Sequence, residues 1–176
     1  MTHAISPILG ISPDETYAGT TVDGADAPFT LGQTVMATDG KELVFVQAGE
    51  AISTTTKQPF VLAIDENFQA KKITKALANV GHLIGFAPQV AIADNAFFWA
   101  IRRGTNFNIK VGVSCAADVA LWTTATAGVL DDTSGASHVR VAGVAIVTAA
   151  STSASAGSTV REAIVSGYPL IPGLIA

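Results

Sequence analysis

Apolar and polar positions alternate in short runs from about Phe29 to Tyr168, and Gly, Asp and Asn separate the runs. The clearest case spans Thr34 to Gln47. Thr-Val-Met-Ala-Thr is followed by Asp39-Gly40 and then by Lys-Glu-Leu-Val-Phe-Val-Gln. Two strand-like runs joined by Asp-Gly read as a β-hairpin, because both turn residues tolerate positive φ. The same punctuation predicts strands at 33–38, 42–48, 60–64, 83–87, 96–102, 107–113, 118–123, 139–148 and 160–166. Their β-branched and aromatic content, and their close spacing, predict a mainly β protein: an antiparallel β-barrel or β-sandwich with at most one short helix. The segment 66–80 is the place for that helix. Phe68, Ile73, Ala76, Leu77 and Val80 approximate helical spacing and Gly81 offers a C-cap, while Thr74 and Asn79 favour a strand and loop instead.

Two runs carry apolar residues on both faces. Leu43 and Phe45 alternate with Val44 and Val46, and Phe97-Phe98-Trp99 does not alternate at all. Burial on both sides predicts a central strand or an oligomer interface. Leu83-Ile-Gly-Phe-Ala and Val141-Ala-Gly-Val-Ala each place a Gly inside an apolar run. Such a Gly marks a bulge or a close backbone approach.

The two ends follow no period. Residues 1–28 are punctuated by Pro7, Pro13, Pro28, Gly10, Gly19 and Gly24, which predicts an extended N-terminal arm ahead of a β-rich body at 29–176. Ile5, Ile8 and Leu9 are its candidate anchors on a partner. Thr148 to Thr159 is rich in Ser, Thr, Ala and Gly and carries no charge, so it reads as a loop. The tail from Gly167 to Ala176 is apolar but holds two prolines, so it is not a helix. Leu174 and Ile175 are its candidate contact residues.

Composition narrows the class. Of 176 residues, 49% are apolar and 14% charged, which excludes disorder driven by charge and low hydrophobicity. With so little charge the surface must be largely Ala, Thr, Ser and Gly, a surface suited to packing against neighbours. A net charge of −4 does not favour non-specific nucleic-acid binding. No window approaches the roughly 18 continuous apolar residues of a membrane helix, and the start lacks a basic, then apolar, leader pattern. The expectation is a soluble protein made in the cytoplasm, with neither membrane nor nucleic acid as partner.

Candidate chemistry is sparse. Cys115 is the single cysteine, so no intrachain disulfide forms, and its β-like surroundings predict a small buried hydrophobe. His3, His82 and His138 fit no metal spacing. Gly-Val-Ser-Cys-Ala is not a nucleophile elbow. Asp131-Asp132-Thr-Ser-Gly135 suits a tight turn better than a cation site. Trp99 and Trp122 are core residues or, alternatively, platforms for a sugar. Two basic clusters, Lys71-Lys72 with Lys75 and Arg102-Arg103, are either solvated faces or partners for carboxylates on another protein. The residues therefore predict no enzyme, no catalytic side chain, no cofactor and no metal.

The order of segments resembles a family. Phe29-Thr-Leu-Gly-Gln-Thr-Val and Asp39-Gly-Lys-Glu-Leu-Val-Phe-Val-Gln-Ala open the match. His82-Leu-Ile-Gly-Phe-Ala-Pro and Asn95-Ala-Phe-Phe-Trp-Ala-Ile-Arg-Arg-Gly continue it, followed by Val119-Ala-Leu-Trp-Thr-Thr-Ala-Thr-Ala-Gly-Val-Leu-Asp-Asp and Tyr168-Pro. Residues 29–170 in this order resemble the capsid decoration, or cement, proteins of tailed bacteriophages. The resemblance implies a β-rich homotrimer bound to the major capsid protein on the outside of the virion. It supplies no catalytic residues. On this reading the contacts fall on Ile5, Ile8, Leu9, Phe97, Trp99, Arg102, Arg103, Leu174 and Ile175. The alternative is a carbohydrate- or receptor-binding β module of a phage tail or adhesin.

Overall fold

The computed structural model describes residues 14–19, 27–52, 58–80, 82–150 and 159–170. The anchors expected at Ile5, Ile8, Leu9, Leu174 and Ile175 lie outside the described residues. In chain order the strands are β1 (Thr16–Tyr17), β2 (Thr34–Met36), β3 (Glu42–Ala48), β4 (Val61–Ile64), β5 (Gln69–Lys72), β6 (Leu83–Phe86), β7 (Phe97–Val111), β8 (Leu121–Thr123), β9 (Leu130–Asp131), β10 (Arg140–Ile146) and β11 (Thr159–Leu170). A single 3₁₀ turn, Leu77–Val80, follows β5. The segment 66–80 thus resolves as strand, loop and turn, with no α-helix.

The hairpin at Asp39-Gly40 forms. Thr34 pairs with Val44, and Met36 with Glu42. Its loop is longer than a two-residue turn: Gly40 N–H donates to Ala37 O at 3.0 Å, and Ala37 N–H to Lys41 O at 2.7 Å. Gly40 alone takes positive φ, at 80°.

Mixed pairing closes a five-stranded barrel from β3, β7, β6, β4 and β5. Its ladders are antiparallel except β3–β5, which is parallel. A second, curled sheet is built on the far half of β7 from β11, β10, β8 and β9, with β7–β9 also parallel. The architecture is the mainly β fold expected, a barrel with most ladders antiparallel, extended by a curled sheet and with two of its pairings parallel. The parallel pairs involve β5 and β9, short strands with little β-branched content that the apolar pattern did not mark.

β7 joins the two halves. The runs expected at 96–102 and 107–113 are one strand of 15 residues. Its first half pairs with β3 (Phe45↔Trp99, Val46↔Phe98) and its second with β11 (Ile109↔Arg161, Phe107↔Ala163). Gly104 at the join has φ 140°, and a Cβ there would meet Lys41 Cγ at 2.9 Å.

Alternation along β7 sorts the core. Phe97, Trp99, Ile101, Phe107, Ile109 and Val111 all enter one cluster, which reaches from Leu43 and Phe45 in the barrel to Leu121 and Ile146 in the curled sheet. Phe98 and Ala100 enter a second cluster with Val44, Val46, Leu62 and Ile64, covered by Ile52, Ala87 and Ile92. The interior glycines serve the two purposes expected of them. A Cβ at Gly85 would lie 2.6 Å from the Ile64 side chain, and Gly143, at φ 80°, sits at a register shift between β10 and β11.

β1 belongs to this body. Thr16 and Tyr17 pair with Phe98 and Phe97, and Tyr17 packs against the core. These residues lie within the stretch expected as an extended arm, and the short β1 carries no apolar period that marks it.

Phe45, fully buried in the larger cluster, is expected to cost about 3–5 kcal/mol when replaced by Ala. Met36→Ala, at a position 55% exposed, should stay within about 0.5 kcal/mol of the parent. Urea unfolding of the two variants checks the contrast.

Candidate functional site

Phe97 and Trp99, expected on a contact surface, are wholly buried. Trp99 lies 5.0 Å from Phe45 and 5.4 Å from Phe29, ring centre to ring centre, and Phe97 stacks on Phe45 at 5.9 Å. Tyr17 closes the group edge-on to Phe29 at 5.8 Å. Aromatic pairs in this range add about 0.5–1.5 kcal/mol beyond their burial. The chain's own strands and its 87–96 segment cover both faces of this run, so it is core and not an interface. Trp99 Nε1 has no hydrogen-bond partner among the described residues.

Arg102 and Arg103 reach a carboxylate of their own chain. Arg103 Nε lies 2.6 Å from Glu42 Oε2, and Arg102 Nη1 lies 3.5 Å from Glu42 Oε1. The Glu42 side chain is only 8% exposed, and the β3–β7 register sets Glu42 against Arg103. The basic pair expected to meet a partner's carboxylate answers a carboxylate of its own chain. Glu42 and Arg103 are 61 positions apart, beyond any local rule.

A cationic surface remains around Phe60. Lys72 Nζ lies 5.5 Å and Lys110 Nζ 4.5 Å from the centre of its ring. Such contacts are worth about 0.5–2 kcal/mol each. Burial, and then the charge of Lys72, hold the Lys110 ammonium below its ordinary pKa. Lys72 was legible as part of a basic cluster. Lys110 was not, because β7 delivers it from 38 positions away. Lys71 is exposed, and Lys75 half-buried.

The described surface is otherwise short of apolar contact. Its exposed large hydrophobics are Met36, Val119 and Val147, which are scattered along the chain. A cleft of about 340 Å³ has an apolar floor of Leu43, Ile101 and Phe107 and a polar rim that includes Asp14, Lys41 and Asn108. That volume is at the small end for ligand pockets. Trp122 is half-buried on β8, paired with Arg140 and Asp131.

The loop after β7 meets the end of β9. Cys115, Asp131 and Asp132 offer ligand atoms that lie within 4.8 Å of one another. Burial and the two carboxylates push the Cys115 thiol up to about 11. A nucleophilic cysteine needs the reverse, a cation or a helix N-terminus that favours the thiolate. His138 Nδ1 lies 3.2 Å from Thr133 O, and His82 Nδ1 is buried with no hydrogen-bond partner among the described residues. Neither ring makes a hydrogen bond to a Ser or Cys nucleophile there.

Compared with protein-family models, curated proteins and solved structures, the chain matches none.

Removing the Glu42 charge tests the pairing. Breaking a fully buried ion pair costs about 3–5 kcal/mol. Arg102 and Arg103 are 25% and 41% exposed and recover part of their hydration, so Glu42→Gln is expected to cost about 1–3 kcal/mol. A double-mutant cycle with Arg103→Gln should return a coupling above about 0.5 kcal/mol. Additivity would leave Arg103 as a surface charge.

Proposed function

We propose that this chain is a structural capsid decoration protein of a tailed bacteriophage. It binds the outside of the shell, as a homotrimer, and bridges neighbouring major capsid protein subunits. The resemblance of residues 29–170 supports this reading, and one structural observation carries its mechanics. β7 runs as one strand of 15 residues through both halves of the body. A load applied to either half is therefore borne by the ladders β3–β7 and β7–β11 in series, with no hinge between separate units.

The mechanism is mechanical and multivalent. Each subunit makes several modest contacts, and linking contacts raises avidity by about 10²–10⁴ over a single one. Interfaces of roughly 1,000–2,000 Å² in total then hold tightly. Opening a contact in the shell must also break a bridge.

The contact elements narrow to part of the set that the sequence singled out. Phe97 and Trp99 are buried, and Arg102 and Arg103 serve Glu42. Apolar anchoring thus passes to the terminal segments, Ile5, Ile8 and Leu9 at one end and Leu174 and Ile175 at the other. The cationic rim of Phe60, with Lys72 and Lys110, supplies complementary charge for an acidic shell. The sugar-binding alternative loses support, because burial of Trp99 removes one of its two candidate platforms.

The purified protein, sedimented with heads of its own phage that lack it, is expected to saturate at a fixed ratio to the major capsid protein. A folded protein that does not bind would overturn the reading. Removing residues 1–13 should leave the unfolding transition unchanged and weaken binding to heads. The cut must stop before β1, since Tyr17 belongs to the aromatic group. Unchanged binding would take the segment out of the mechanism.

A further inference from the structure

The loop that leaves β7 carries Cys115, and the chain returns beside it with Asp131 at the end of β9 and Asp132 next to it. Sequence spacing hides this meeting, since 16 positions separate Cys115 from Asp131. The Cys115 side chain is fully buried, and both carboxylates are half-buried.

The thiol is the informative member. Among the described residues its hydrogen bond runs to Ala116 O, its neighbour in sequence, at 3.9 Å, a long contact even for sulfur. A wholly buried polar atom with so weak a partner faces a pair of carboxylates within 4.8 Å. The carboxylates are themselves held in place. Asp132 Oδ2 accepts from Ala116 N–H at 2.9 Å and Asp131 Oδ1 from Asp132 N–H at 2.9 Å. Gly112 leaves just enough room for Asp131: a Cβ there would lie 2.6 Å from its carboxylate carbon.

A metal ion takes ligands of this kind in their deprotonated forms, so an ion bound here displaces the thiol proton.

We propose that Cys115, Asp131 and Asp132 form a binding site for a divalent cation of the zinc class. Thiolate with two carboxylate oxygens is a donor set that zinc accepts, and a thiolate disfavours magnesium and calcium. Around a tetrahedral zinc the ligand atoms lie about 3.3–3.8 Å apart. Closing from 4.8 Å needs roughly 1–1.5 Å of movement. Water takes the fourth position. The ion ties the loop after β7 to the end of β9, where the two strands share the single register pair Val111↔Leu130. Binding converts the thiol to thiolate and releases its proton to solvent.

The test uses the full-length protein, stripped with chelator and titrated with Co²⁺ as the spectroscopic stand-in for Zn²⁺. The expected result is a near-ultraviolet thiolate-to-cobalt charge-transfer band that saturates at one equivalent, disappears when Zn²⁺ is added, and is accompanied by a rise in Tm. Cys115→Ser should abolish the band. Asp131→Asn, which keeps the thiol, should weaken Co²⁺ binding by about 10–100-fold and remains informative should the cysteine variant not fold. No band on the parent protein, a band that Asp131→Asn leaves unaltered, or a larger Tm rise with Ca²⁺ than with Zn²⁺ would each overturn the proposal. None of these outcomes depends on binding to phage heads.

Discussion

A single strand has to satisfy two sheets at once, and the rest of the structure follows from that demand. β7 gives its first half to β3 and its second to β11. Phe97, Trp99 and Ile101 from its first half and Phe107, Ile109 and Val111 from its second all enter one hydrophobic cluster. Two register shifts lie between these halves, at Glu42/Leu43 against β3 and at Ala163/Val165 against β11. Each sets one extra β7 residue against its partner, so together they preserve the two-residue period. Gly104, at φ 140° and close to Lys41, lies where the two shifts meet.

Charge follows the same economy. A buried carboxylate at the start of β3 is answered by two guanidinium groups from β7, so the central ladder carries an electrostatic clamp at the point where its register shifts, between Glu42 and Leu43. The acidic chain then has few cations left for the outside. Two of them, Lys72 and Lys110, are gathered on the Phe60 ring. The body is thus weakly charged, with few large apolar side chains exposed among its described residues.

Much of the fold was legible, for local reasons. Asp39-Gly40 marked its hairpin, and β3, β4, β6 and β10 stand out because β-branched and aromatic residues crowd them. The misses have physical causes. Gln69-Ala-Lys-Lys lacks strand formers and pairs only because β3 and β4 flank it. Gly104-Thr-Asn reads as a break, yet hydrogen bonding to β11 carries the strand through it. The aromatic run 97–99 was rightly seen as covered on both faces. Sequence cannot say whether a second molecule or the chain's own 87–96 segment supplies the cover. The candidate site was least legible of all. The ion pairs of Glu42 and the meeting of Cys115 with Asp131 join positions too distant for any spacing rule.

The position of β7 along the chain also governs how the molecule is made. β3 is complete at residue 48, but the strand that caps its edge begins at residue 97. At ribosomal rates of about 5–20 residues per second, that interval lasts about 3–10 s. β7 in turn finishes at residue 111 and waits for β11, which begins at residue 159, a delay of similar length. During each wait a long apolar strand presents unpaired N–H and C=O groups to whatever is nearby, including nascent copies on the same message. Synthesis therefore passes through two windows in which this chain is open to pairing with the wrong strand, and the second closes only as β11 leaves the ribosome.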